Sequence, residues 1–220
     1  MEVWQNLYRL KSKGCNVYVL RNDGSYLIDT GTPNNAKLIL LQIRQLNIKL
    51  DGIIITHAHF DHVGSAYTLQ KELECPIYIQ KEDYPYLIGE KSYNYAGFLG
   101  RLAKMAEKFS KFERPKDASD VNELNSKMEI IHTPGHTPGS ICILYNKCLI
   151  CGDLLRHGKK YHFFGKHEIK LSPKSFCSNY DEYLNSIKKV SRLDFDAILP
   201  GHGSPVYNAK EKLNELIGKV

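Results

Sequence analysis

The sequence predicts an α/β fold in which helix, sheet, sheet and helix are layered. Three observations carry this. Short β-branched or apolar runs recur at 15–20, 26–29, 52–56, 77–79, 129–133, 141–145, 148–152 and 196–199, each of strand length. Stretches at 36–46, 64–73, 179–191 and 208–218 read as helices. The strands fall into two halves with helices before, between and after them, a pattern of layered packing that other α/β folds share.

The elements follow in order. The runs 15–20 and 26–29 flank the turn Asn22-Asp23-Gly24. At 36–46, Ala36, Ile39, Leu40, Ile43 and Leu46 recur at helical spacing, with Pro33 and Asn34 as start signals. Gly52-Ile53-Ile54-Ile55-Thr56 is a continuous β-branched run and so a buried strand. Residues 83–120, rich in Tyr, Phe and Lys, read as a helical insertion. There Tyr95, Phe98, Leu99, Leu102, Met105 and Phe109 fall on one face, and Arg101, Lys104, Lys108 and Lys111 largely on another. That pattern fits a helix packed on the domain, a lid over an apolar pocket, or a basic interfacial helix. The stretches 114–124 and 156–173 read as loops. The whole, 1–220, is expected to be a single domain with this insertion.

Composition narrows the class. No apolar run approaches the roughly 18–20 residues that span a bilayer. The N-terminal MEVWQNLYRL has no apolar core of a signal sequence, so a cytoplasmic enzyme is expected. The net charge of +6 is moderate and fits a solvated surface or a preference for anions. Cys148 and Cys151 form a lone C-x-x-C in an apolar stretch, which reads as buried strand rather than a zinc knuckle or redox pair.

The chemistry concentrates in His57-Ala58-His59-Phe60-Asp61-His62, directly after the strand 52–56. Side chains alternate along extended backbone, so His57 and His59 share a side. Imidazole and carboxylate suit zinc, iron or manganese. A shuffled chain of this composition would contain the spacing roughly once in a thousand. Three further groups share the context of a strand end flanked by Gly or Pro: His136 in Thr133-Pro134-Gly135-His136-Thr137-Pro138-Gly139, Asp153 after Gly152, and His202 between Gly201 and Gly203.

This series, with Asp29-Thr30-Gly31 before it, resembles the metallo-β-lactamase superfamily, and within it the glyoxalase II-like and lactonase-like hydrolases. The motifs run from 29 to 203 in family order. The resemblance implies a four-layer αβ/βα sandwich with metals at one edge. It implies two divalent ions, zinc first, with iron or manganese as alternatives. His57, His59 and His136 would bind one ion and Asp61, His62 and His202 the other. Asp153 would bridge them together with a hydroxide. Asp29 would support ligands from behind or serve as a turn carboxylate. The implied reaction is hydrolysis of an activated carbonyl in a small-molecule substrate: a thioester, lactone or related ester. Asp61 would also orient the nucleophile and take its proton. Alternatives are a mononuclear-iron persulfide dioxygenase-like oxidoreductase and a phosphodiesterase of the same fold; no nucleic-acid partner is expected. Only 18 residues follow His202, so the C-terminal glutathione-binding domain of glyoxalase II is not expected. The Cys-Gly-Arg stretch those enzymes carry after the bridging Asp is also replaced. Of the remaining histidines, His132 reads as strand, while His157, His162 and His167 fall in the 156–173 segment bordering the expected site.

Overall fold

A computed structural model describes residues 1–93, 97–109, 112–124, 126–161 and 164–218. Seven strands lie side by side in chain order in the first sheet: β1 (Glu2–Trp4), β2 (Leu7–Leu10), β3 (Val17–Asn22), β4 (Gly24–Ile28), β5 (Gly52–Ile54), β6 (Ile77–Ile79) and β7 (Ser119–Asp120). Strands β1 to β4 are antiparallel, whereas β4 to β7 are parallel. The second sheet contains β8 (Glu129–His132), β9 (Ile141–Tyr145), β10 (Cys148–Gly152), β13 (Ala197–Pro200) and β14 (Val206–Tyr207), in the order β14-β13-β10-β9-β8. Strands β10 and β13 are parallel. Between them in sequence, β11 (Leu155–Tyr161) and β12 (Phe164–Leu171) form a separate two-stranded ribbon.

Period-two alternation builds the layers. In β3, Val17 and Val19 join Ile39 and Ile43 of α1 (Ala36–Gln45) and Leu69 of α3 (Ala66–Leu73) in an outer core. The intervening Tyr18 and Leu20 instead meet Ile141, Ile143, Ile150 and Leu199 of the second sheet in the central core. On the far side, Leu149, Cys151 and Ile198 pack with Tyr183, Ile187 and Val190 of α6 (Tyr180–Val190) and Leu213 of α7 (Ala209–Ile217). Helix, sheet, sheet and helix are thus stacked around three apolar layers, as the fold class requires. Cys148 and Cys151 are buried in β10 with free thiols.

Several elements differ from the sequence expectation. The 156–173 segment is mostly the β11–β12 ribbon. Its Lys, His and Gly content hides it, because a ribbon outside both sheets needs no continuous apolar face. The loop expected at 114–124 contributes β7 as an edge strand; two residues give no readable period. The strands β1, β2 and β14, of two to four residues each, are unannounced for the same reason. Asp61 and His62 lie within a helical turn, α2 (Phe60–Val63), that follows β5. The insertion holds α4 (Tyr84–Leu87) and α5 (Gly97–Phe109), and α5 runs beside the single turn Lys174–Phe176. Leu102 and Met105 of α5 are 45% and 53% exposed, so that part of its apolar face is not packed on the domain. Tyr95, Lys111 and His162 lie outside the described residues.

Candidate metal centre

Parallel pairing sets the site. Parallel neighbours end on the same edge, so β4 and β5 deliver Asp29 and the His57–His62 segment together, and β10 and β13 deliver Asp153 and His202. The loop after β8 brings His136 to the same edge. All seven residues singled out from the sequence meet there. His57 Nε2 and His136 Nε2 each lie 3.1 Å from His59 Nδ1. His202 Nε2 lies 3.3 Å from Asp61 Oδ2 and 3.2 Å from Asp153 Oδ2. Asp153 also reaches His62 Nε2 at 3.3 Å and His136 Nε2 at 3.6 Å.

These separations fit ligands around a common ion. Donor atoms about 2.0–2.2 Å from a tetrahedral ion are about 3.3–3.6 Å from each other. His62 Nε2 and Asp153 Oδ1, 3.3 Å apart, are buried and make no well-formed hydrogen bond among the described residues. Such atoms are costly to leave without a partner. His57, His59 and His136 form one compact set and Asp61, His62 and His202 another; Asp153 stands against both. The donor set therefore fits two divalent ions.

The hydrogen bonds behind the ligands fix which ring nitrogen faces inward. The Asp29 carboxylate can only accept, so His62 Nδ1 at 2.8 Å donates to it and Nε2 points into the site. The Thr56 hydroxyl donates to Asp29 Oδ2 at 2.8 Å. It must then accept from His57 Nδ1 at 3.1 Å, which turns His57 Nε2 inward. Asp29 thus orients two of the clustered histidines; it is 2% exposed and its φ is +60°. Of the two roles open for it in the sequence, support from behind is the one its hydrogen bonds serve.

Asp83 does comparable work and was not singled out from the sequence. Its carboxylate accepts from Ala58 N at 2.9 Å, Thr137 Oγ1 at 2.7 Å and Gly139 N at 2.7 Å. It thereby ties the His57–His59 loop to the His136 loop. Burial pushes its carboxyl pKa up, while the hydrogen bonds from Thr137, Ala58 and Gly139 act against that rise. Tyr93 stacks on Tyr86 and sets its ring edge-on to His59, with centroids 4.6 Å apart. No spacing rule points to Asp83, because its partners are backbone amides of distant loops.

The electrostatics divide the histidines. Burial, aided by the charge of His62, holds His57 well below the usual imidazole range; burial and His136 do the same to His59. Burial takes His136 down to about 4. Burial opposes charging of His62 and His202 as well, but there the carboxylates win. Cys15, Asp29 and Asp153 raise His62 well above its ordinary value, and Asp153 with Asp61 raises His202 to about 9. Asp61 resists burial through its hydrogen bond to His202 and falls to about 2. The cluster of carboxylates thus demands positive charge, from protons or from metal ions.

The centre opens into a pocket of about 250 Å³. Asp61 and His202 face it at 22% and 23% side-chain exposure, whereas His57 and His62 lie beneath. Phe60, Pro173 and Phe176 give it apolar wall, and Arg156 and Ser172 give it polar wall. Gly201 and Gly203 permit this packing. A Cβ on Gly201 would stand 2.5 Å from Asp153 Oδ1. One on Gly203, whose φ is +101°, would strike the His157 carbonyl where β11 crosses the His202 loop. His157 itself bonds the Ser204 carbonyl, and His132 bonds the Pro138 carbonyl; neither joins the seven-residue cluster.

Residues 11–202 match the family model of the metallo-beta-lactamase superfamily, and the chain belongs to that superfamily. Its relatives include a probable metallo-hydrolase, YflN, of Bacillus subtilis, 29% identical over all of this chain and 92% of that protein. The hydroxyacylglutathione hydrolase of Shewanella loihica is 30% identical, but over 63% of this chain and only 45% of the relative. Among solved structures, TTHA1623 in a di-iron-bound form superposes with a TM-score of 0.67 at 25% identity, covering 90% of this chain and 91% of that one.

Proposed function

We propose that this chain is a dinuclear metallohydrolase acting on an activated carbonyl: a thioester, lactone or related ester. One observation carries the reading. Two sets of ligand atoms share Asp153 at the floor of a single pocket. His57, His59 and His136 would hold one ion, Asp61, His62 and His202 the other, and Asp153 both. Ions bound there supply Lewis acidity, which acidifies a water toward neutrality and polarises a carbonyl.

The chain's own groups do the rest. Asp61, ionised and facing the pocket, accepts a hydrogen bond from the attacking water and takes up its proton. Arg156 offers a cation to an anionic group of the substrate, and no ion pair holds it elsewhere among the described residues. Phe60 and Phe176 keep bulk water from the reacting carbonyl, which strengthens every charge interaction in the site. Zinc is the first choice of metal on the donor set, and the di-iron relative supports testing iron alongside it.

Metal analysis by mass spectrometry, paired with a panel of acyl thioesters, lactones, nitrocefin and bis-nitrophenyl phosphate, tests the reading. Two ions per chain with turnover of a thioester or lactone is the expected result. A single iron with oxygen uptake on a persulfide would replace it with the oxygenase reading, and turnover of the phosphodiester alone with a phosphodiesterase.

A further inference from the structure

Helix α5 turns basic and apolar side chains outward together. Arg101, Leu102, Lys104, Met105 and Lys108 are all exposed. Positions 101, 104, 105 and 108 follow the spacing of one helical stripe, and 102 flanks it beside 105. No acidic residue stands at any of these positions. No ion pair holds the three cations among the described residues. Leu102 and Met105, at 45% and 53% exposure, are two of the five large hydrophobic residues left exposed among the described residues, and the only two that share an element.

The helix is fixed to the domain without this face. Gly100 is buried, and α5 runs beside the Lys174–Phe176 turn. At 13 residues it is about 20 Å long, too short to cross a bilayer, so any contact with lipid is along its side.

The mixture of side chains selects the occupant. A second copy related by a twofold axis would set Arg101, Lys104 and Lys108 against their own equivalents. A nucleic acid would pair the cations but leave Leu102 and Met105 against a polyanion, and no aromatic stands among the five exposed residues to stack on a base. A protein groove that receives a helix takes apolar anchors along the central stripe, whereas three of the four stripe positions here are cations. An anionic lipid surface meets both needs. It offers acyl chains to the apolar pair and phosphates to the cations, whose long stems can run along the apolar boundary.

We propose that the outer face of α5 docks on an anionic lipid surface, with Leu102 and Met105 at the acyl boundary and Arg101, Lys104 and Lys108 at the lipid phosphates. Phe176 belongs to the turn beside α5 and lines the pocket, so docking holds the pocket close to a store of acyl chains. The docking itself does not depend on which reaction the metal centre performs.

Sedimentation with vesicles tests it, using the full chain loaded with metal. The protein should bind vesicles of phosphatidylcholine mixed with phosphatidylglycerol, bind phosphatidylcholine alone far more weakly, and release as salt rises. Each cation close to an anionic surface is worth about fivefold in affinity, so R101Q/K104Q/K108Q should bind about a hundredfold more weakly. L102S/M105S keeps every charge and should still bind about tenfold more weakly. Both variants change exposed side chains only, and metal content and thermal unfolding equal to wild type confirm that each is folded. Failure of the wild type to bind mixed vesicles, or equal binding to neutral ones, would overturn the proposal. So would a loss confined to the charge variant, which would leave bare electrostatic attraction without contact at the acyl boundary. An oligonucleotide bound more tightly than the mixed vesicles through the same three cations would assign the face to nucleic acid instead. Self-association in sedimentation velocity that L102S/M105S abolishes would assign it to a contact between copies.

Discussion

At the scale of single residues, the site depends on who holds whom. Asp61 faces the pocket and belongs to the second ligand set, so Asp61→Ala should lower turnover about a hundredfold or more while His57, His59 and His136 keep their ion. Metal content and kcat measured on the same preparation check this; near-normal turnover with both ions present would refute the role. Protons make a second prediction. Without metal, His62 and His202 are held protonated, His202 up to about pH 9. Metal ligation needs their nitrogens free, so loading near pH 7.5 releases protons and affinity climbs as pH rises toward 9. Calorimetry in buffers of different ionisation enthalpy reads the number released, and buffer-independent heats would contradict it. The clustering of the seven residues was legible in the sequence because metal-competent chemistry is written in residue type and spacing. Asp83 was not, because a carboxylate that accepts from Ala58, Thr137 and Gly139 looks like any surface acid until the loops are folded together.

Among the elements, legibility followed burial. Strands buried on both faces, such as β5 and β10, announce themselves as apolar runs, and α1 and α6 by their periodic faces. The β11–β12 ribbon escaped notice because Arg156, Gly158, Lys159, Lys166, Glu168 and Lys170 leave no sustained apolar alternation along it. The two loops bridged by Asp83 provide the test at this scale. Asp83→Ala leaves two buried amides and a hydroxyl without their acceptor, so the fold should lose about 2–4 kcal/mol. Denaturant unfolding of the metal-loaded protein measures this. A loss below about 0.5 kcal/mol would show that water replaces the carboxylate.

Across the whole molecule, the parallel pairs β4–β5 and β10–β13 decide where function can be. Each pair carries its candidate ligands past its C-terminal end, so every residue of the cluster lies along one rim of the sandwich. The arrangement follows from chain direction, and it explains why motifs more than a hundred residues apart converge. Its other consequence concerns the opposite rim. The turn at Asn22–Gly24 enters β4, and the turn at Asn146–Lys147 enters β10, both at the ends remote from Asp29 and Asp153. These turns are free of the duties that fix the other rim. A short Gly-Ser insertion between Asp23 and Gly24 should leave metal content and kcat/KM within about twofold, because exposed turn tips tolerate added length. Loss of bound metal in that variant would show that the two rims are coupled. The far rim is therefore a natural handle, a place to graft a tether, a reporter or a second domain while the working rim remains open to substrate.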